Sequence, residues 1–192
     1  MALILASTSP IRLAMLEAAG VTVEPVAPGI DEAALKGSGQ PQDLALLLAE
    51  AKARAASETR PGQWTIGGDS IVSIDGRRFD KPRDREDAAN HLRFFSGKTI
   101  RLVSAAALAL DGRVEWSMAD DASLQVRKLS DSFIDSYLAA EWPEVGYCVG
   151  VFRMEGRGVQ LFSSIEGSHF TILGLPLLPL LEALRERRLI AS

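Results

Sequence analysis

Leu3-Ile4-Leu5-Ala6-Ser7-Thr8-Ser9-Pro10-Ile11-Arg12 runs from an apolar strand through three hydroxyl residues straight into a helix. A proline at the first helical position loses nothing by lacking an N–H, and Ser9 before it is a natural N-cap. The helix predicted from Pro10 to about Ala19 carries apolar residues at 11, 13, 14, 15, 16, 18 and 19. That is apolar nearly all round, which predicts a buried helix. Its first turn nevertheless holds Arg12, a cation at the positive end of the helix dipole. An anion brought to that end would satisfy both the free N–H groups and the arginine, as at a phosphate site. Taken alone, the same residues also serve as turn and cap, with Arg12 paired to a neighbouring carboxylate.

The chain has 192 residues, enough to bury a real core, and its composition is ordinary for a soluble protein. It is read as a single domain over residues 1–192. The net charge of −4 argues against a broad nucleic-acid surface and leaves room for a local basic pocket. Cys148 is the one cysteine, so an intramolecular disulfide is impossible and a reducing, cytoplasmic location is expected. Met1 to Ala6 is too short for a signal-peptide core. The longest apolar run, Leu173 to Leu181, is far from membrane-spanning length and is interrupted by two prolines. No membrane partner is expected.

Outward from the opening stretch, Val21 to Val26 reads as a short strand, and Asp31-Glu32 leave two acids in a loop. Pro41 opens a helix whose apolar face is marked by Leu44, Leu47, Leu48, Ala51 and Ala55, with Lys52 and Arg54 at or beyond its edge. Trp64 to Ile74 reads as a strand, turning at Asp75-Gly76 into a hairpin. A helix follows from about Asp84 to Phe95, stopped at Gly97. Ile100 to Leu110 and Val114 to Val126 flank a second Asp-Gly turn at 111–112. Ser130 caps a helix to about Ala140, Val159 to Phe162 reads as a strand, and Leu177 to Arg187 as a closing helix. Strands alternate with helices while two hairpins exclude a purely parallel sheet, so the class is α/β with a mixed twisted sheet and flanking helices. The long apolar hairpin serves equally as core or as the surface of a homodimer.

Asp69 is the residue with most to explain. A carboxylate after Gly67-Gly68 in an otherwise apolar strand is expensive to bury without a charged partner or a metal. Paired glycines there indicate a bulge or a close backbone approach; a turn aspartate satisfied by local backbone is the plain alternative. Asp31 and Glu32 read as solvated loop acids when taken alone. Lys81 precedes Pro82, which fixes an extended backbone at the lysine, though a surface lysine is the default. Ser96-Gly97-Lys98 lacks the Walker pattern. His91, His169 and Cys148 lack zinc-ligand spacing, and Cys148 reads as packing. A helix-start phosphate cradle with Arg12, one or two acids and a fixed lysine suits phosphate-ester chemistry with a divalent metal.

These residues resemble the Maf family of nucleoside triphosphate pyrophosphatases over nearly the whole chain. The resemblance rests on residues 5–12 quoted above, Ile66-Gly67-Gly68-Asp69-Ser70, Lys81-Pro82, Ser96-Gly97-Lys98-Thr99, Ile165-Glu166-Gly167 and Gly174-Leu175-Pro176-Leu177, in that order. It implies two lobes around a deep groove, similar to the inosine-triphosphatase architecture. It also implies cleavage of a nucleoside triphosphate to the monophosphate and pyrophosphate with Mg2+ or Mn2+. Position by position, Asp69 resembles the general base or metal-organising carboxylate and Glu32 the second acid. Ser7, Arg12, Lys52 and Lys81 resemble phosphate contacts, with Lys81 also stabilising charge in the reaction. Glu155 stands where relatives have glutamine or glutamate. The family usually has two arginines after the proline; Ile11 replaces the first and removes one phosphate contact. Residues 150–156 lie nearer the 7-methyl-GTP-preferring branch than the pyrimidine-preferring one. Ile11 also motivates the reading of a nucleotide-binding regulator without turnover, and a third reading is a division-control interaction protein that uses the groove for a partner. The joint presence of Glu32, Asp69 and Lys81 favours the enzyme.

Overall fold

The computed structural model describes residues 3–35, 37 and 39–191. The elements follow in the order β1 (Leu3–Ala6), α1 (Pro10–Ala18), β2 (Val23–Val26), α2 (Glu32–Leu35), α3 (Pro41–Glu58), β3 (Thr65–Ile74) and β4 (Arg77–Phe79). Next come α4 (Arg85–Phe95), β5 (Thr99–Leu110), β6 (Arg113–Val126), α5 (Asp131–Glu141), β7 (Phe162–Glu166), α6 (His169–Leu173) and α7 (Leu177–Glu186). The strands form a seven-stranded sheet in the order β2-β1-β3-β5-β6-β7, with β4 paired to β3. It is mixed, as expected: β1 runs parallel to β2 and β3, whereas β3–β4 and β6–β7 are antiparallel. Both Asp-Gly turns form as read. Asp75 and Gly76, then Asp111 and Gly112, have positive φ, the left-handed pair that matches the twist of a two-residue hairpin.

The chain divides into two compact units, one comprising residues 1–70, 103–120 and 168–192, the other residues 71–102 and 121–167. In the first, Leu3, Leu5, Leu16, Ile66, Leu108, Leu175, Leu180 and Leu184 are the centre of a core drawn from β1, α1, β3, β5, the turn between α6 and α7, and α7. The carboxyl end of β1 opens directly into Ser7 to Ser9 and α1. In parallel arrangements such strand ends are where ligands gather. In the second unit, Phe79 meets His91, Phe94 and Phe95 in an aromatic cluster. There the buried Tyr137 hydroxyl donates to Val151 O at 3.0 Å. Among the described residues, no helix is long and apolar enough to cross a membrane.

Several local readings need correction. Helix α1 is not buried all round: only Met15 and Leu16 are buried, and Ala14, Glu17 and Ala18 face solvent. Its small alanines can stay wet at little cost, so an apolar count overstated the face. The face of α3 is turned from the one read off the leucines. Ala45, Leu48, Ala49, Lys52, Ala53 and Ala56 are buried, while Leu47 is 44 % exposed. Glu32 opens the short helix α2 rather than lying in a loop; Asp31 caps it, Oδ1 accepting from the N–H groups of Ala33 and Ala34. Residues Arg157–Leu161 form a 3-10 turn, and the strand read at 159–162 begins only at Phe162. Helix α6, five residues long, was too short to show a period.

Candidate active site

Ser7, Arg12, Glu32, Lys52, Asp69, Ser70, Ser104, Thr171 and Gly174 all belong to the first unit. Ala6 of β1 pairs in register with Gly67 of β3, which sets Ser7 and Gly68 at neighbouring positions. Gly67 is needed for packing. A Cβ there would collide with Ala49 O and lie 2.7 Å from Ala53 N, so helix α3 rides directly on the strand backbone. The expected close approach is therefore real, and it brings the side chain of Lys52 from α3 to Asp69 of β3.

Lys52 and Asp69 are 6 % and 7 % exposed, and Lys52 Nζ lies 2.6 Å from Asp69 Oδ1. The same ammonium is 2.8 Å from Glu32 Oε1, whose side chain is 42 % exposed. One buried cation thus stands between two carboxylates. Burial of either partner alone would cost several kcal/mol. Lys52, placed at a helix edge by sequence pattern, is a buried centre. A lysine stem is as apolar as its neighbours, and polarity patterns do not register it.

Arg12 is held by three uncharged oxygens. Its Nε donates to Gly174 O at 2.9 Å, Nη1 to Ser7 Oγ at 3.3 Å and Nη2 to Ser70 Oγ at 3.0 Å. Among the described residues it does not take the direct carboxylate partner of the plain reading. Burial disfavours its charge and draws its pKa down, while the nearby charges of Asp69 and Glu32 act the other way. Ser9 occupies the N-cap position of α1, but its hydroxyl makes no cap bond. Instead the Ser9 N–H donates to Ser7 Oγ at 3.2 Å. The buried Ser7 hydroxyl therefore accepts from both the loop backbone and the guanidinium.

Lys81 and Glu155 belong to the second unit. Lys81 is exposed, next to buried Pro82. Glu155 Oε1 accepts from Arg153 Nε at 3.2 Å. Both charges act on the Cys148 thiol, Glu155 raising and Lys81 lowering its pKa, but burial dominates and pushes it up.

In the sequence Ser70 and Gly174 stand out only as members of motifs, and Ser104 does not stand out at all. Ser70 Oγ and Ser104 Oγ lie 2.8 Å apart, and Ser104 donates to Thr171 O at 2.7 Å. The available signal for Ser104 was a lone hydroxyl in the apolar run from Leu102 to Leu108, which must find a partner when buried.

Among the described residues, no group of three or more histidines, cysteines, aspartates and glutamates is placed to hold a metal ion unaided. The donor set that exists is Asp69 and Glu32, two carboxylates converging on one cation. That cation is the Lys52 ammonium; the two carboxylates are also the residues that could share a divalent cation with water and substrate phosphates, as hard cations at nucleotide sites are commonly held.

The family model described as "Maf-like protein" matches residues 2–187. A 7-methyl-GTP pyrophosphatase of Mesorhizobium japonicum is 47% identical over 188 residues, covering 95% of this chain and 94% of that protein. A nucleoside triphosphate pyrophosphatase of Sphingopyxis alaskensis is 46% identical over 191 residues, covering 96% of each. Among solved structures, the Ham1 protein of Staphylococcus aureus aligns with a TM-score of 0.49 at 15% identity, covering 98% of this chain and 100% of that one.

Proposed function

The chain belongs to the Maf-like protein family, and from that premise we propose that it is a nucleoside triphosphate pyrophosphatase, releasing the monophosphate and pyrophosphate. The observation that carries the chemistry is the buried Lys52 bridging Asp69 and Glu32 beside Arg12. A pure binder of phosphate has use for the cations and none for two converging carboxylates, which repel the ligand.

In the reaction, a water oxygen bonds to the α-phosphorus while the bridging bond between the α- and β-phosphates breaks. The electron pair of that bond leaves with pyrophosphate. Asp69, held by Lys52 through Oδ1, takes the proton of the attacking water. Ser7 and the N–H groups of Arg12 not spent on its supports face the phosphate oxygens, where charge builds as the bond breaks. Lys52 keeps Asp69 oriented and offsets the negative charge that the substrate brings. A divalent cation held by Asp69 and Glu32 together with the triphosphate would supply charge neutralisation of the phosphates. The family resemblance implies a phosphate contact for Lys81 and a nucleotide contact for Glu155, and we propose both on that basis.

The test is pyrophosphate release from a panel of triphosphates, 7-methyl-GTP and the common purine and pyrimidine nucleotides, with Mg2+, Mn2+ or EDTA. Turnover with a cation and none in EDTA is expected. Binding without release would leave a regulator, the reading that Ile11 motivates, and turnover undiminished in EDTA would remove the metal. Lys81→Met and Glu155→Ala in the same assay test those two assignments: KM should rise in each.

A further inference from the structure

Resting on the reading of Arg12 as a phosphate-binding cation, we infer that Ser104 is a positioning residue that sets the direction of the guanidinium through Ser70. Ser104 lies within β5 and is fully buried among alanines and leucines. A hydroxyl in that setting costs free energy unless both its hydrogen and its oxygen are used.

The polarity of its bonds is determined. Thr171 O is a carbonyl and can only accept, so the Ser104 hydroxyl donates to it at 2.7 Å. Ser104, its hydrogen spent, must accept from Ser70 at 2.8 Å. Ser70, its hydrogen spent in turn, must accept from Arg12 Nη2 at 3.0 Å. The relay runs one way, from guanidinium through two hydroxyls to a backbone oxygen, and no member can reverse without leaving a buried group unpaired.

Both ends of the relay meet the last turn of α6. Thr171 O closes it, and Gly174 O accepts Arg12 Nε directly at 2.9 Å. Gly174 has φ 111°, and a Cβ on it would stand 3.3 Å from Arg12 Nε and 3.4 Å from Ser70 Oγ, so the slot has no slack. One short segment thus fixes the arginine twice, along two edges of its planar fork.

A purely structural task for Ser104 explains less. Thr171 O already accepts the Gly174 N–H at 3.1 Å, so the helix end is satisfied without the serine. What the Ser104 hydroxyl adds is a fixed acceptor for Ser70. Without it the Ser70 hydrogen can rotate, and Nη2 loses a partner of defined direction. The remaining guanidinium N–H groups then meet the phosphate with less pre-organisation.

The experiment is a double-mutant cycle on the full-length protein with kcat, KM and melting temperature measured for each variant. The set comprises Ser104→Ala, Arg12→Lys and the pair, with pyrophosphate as competitive inhibitor for a second readout. Ser104→Ala is expected to lower kcat/KM about fivefold, mostly in KM, and to weaken pyrophosphate inhibition by a similar factor. In the Arg12→Lys background the same change should have no further effect. An equal loss in both backgrounds overturns the positioning role. Arg12→Lys retaining parental kcat/KM refutes instead the phosphate reading of Arg12. If Ser104→Ala fails to fold, Ser70→Ala interrupts the same relay at a less buried point and carries the cycle.

Discussion

Replacing Lys52 with methionine keeps most of the side chain's length and apolar stem and deletes only its charge. The consequence follows from the distances. The Asp69 and Glu32 oxygens cannot lie farther apart than their contacts to Nζ, 2.6 and 2.8 Å, laid end to end. Two unit charges at that limit repel by about 3 kcal/mol at an effective dielectric of about 20. Water screens the half-exposed Glu32, so about 2 kcal/mol of that repulsion survives. With the ammonium gone that repulsion is no longer offset, and because Lys52 is also spared its own burial the net destabilisation is about 3 kcal/mol, the low end for a buried pair losing one partner. For a chain of this length that lowers the melting temperature by about 6–12 °C. Differential scanning calorimetry at neutral pH reads it directly. Adding Glu32→Gln to Lys52→Met should recover about 2 kcal/mol, because it removes the repulsion. Millimolar Mg2+ should raise the melting temperature of the single variant more than that of the parent, since a cation replaces a cation. An unchanged melting temperature in Lys52→Met, or a Glu32→Gln change that adds a loss of its own, would refute the idea that this lysine holds two carboxylates together.

Asp69→Asn should reduce pyrophosphate release by at least about a hundredfold and lower the melting temperature by only a few degrees, because Lys52 retains Glu32; intact turnover would remove Asp69 as the base. Gly67→Ala places a Cβ against the backbone of α3, and overpacking of about 3 kcal/mol or more is expected. Its melting temperature should fall by about 10 °C, with activity dropping alongside as Lys52 is displaced; a normal melting curve would mean that helix and strand separate freely. Cys148 and Tyr137 both have pKa values raised chiefly by burial, so each folded value lies above its unfolded one. Stability from these groups is full below the unfolded values, about 8.5 and 10, and is lost as pH rises past them. A thermal melt series from pH 8 to 11 should show that decline, and Tyr137→Phe should flatten its upper part; identical slopes would discount the burial of the phenol.

The readings that succeeded rest on backbone chemistry with few alternatives. Asp75-Gly76 and Asp111-Gly112 could be placed because a two-residue hairpin needs positive φ at both positions. Gly67-Gly68 could be flagged because side chains are missing where a strand should be packed. The readings that failed depended on which face a side chain turns inward. A polarity pattern sets Lys52 at an edge because charge outweighs stem, and it misplaces the buried face of α3 because alanines at 45, 49, 53 and 56 mark a close-packed face better than leucines. Val159 and Leu161 mimicked a strand period within a five-residue turn. Ser104 remained unseen because its importance lies in two partners more than thirty residues away in either direction, Ser70 and Thr171. Local patterns carry no information about such pairings.

The supports of Arg12 are a peptide carbonyl and two hydroxyls, none of which ionises near neutrality. Had a carboxylate clamped it, the clamp would loosen in acid, weaken with added salt and cancel much of the guanidinium's field. Neutral struts do none of these things. The arginine keeps one bearing whatever the buffer, and its full positive charge stays available to whichever anion arrives.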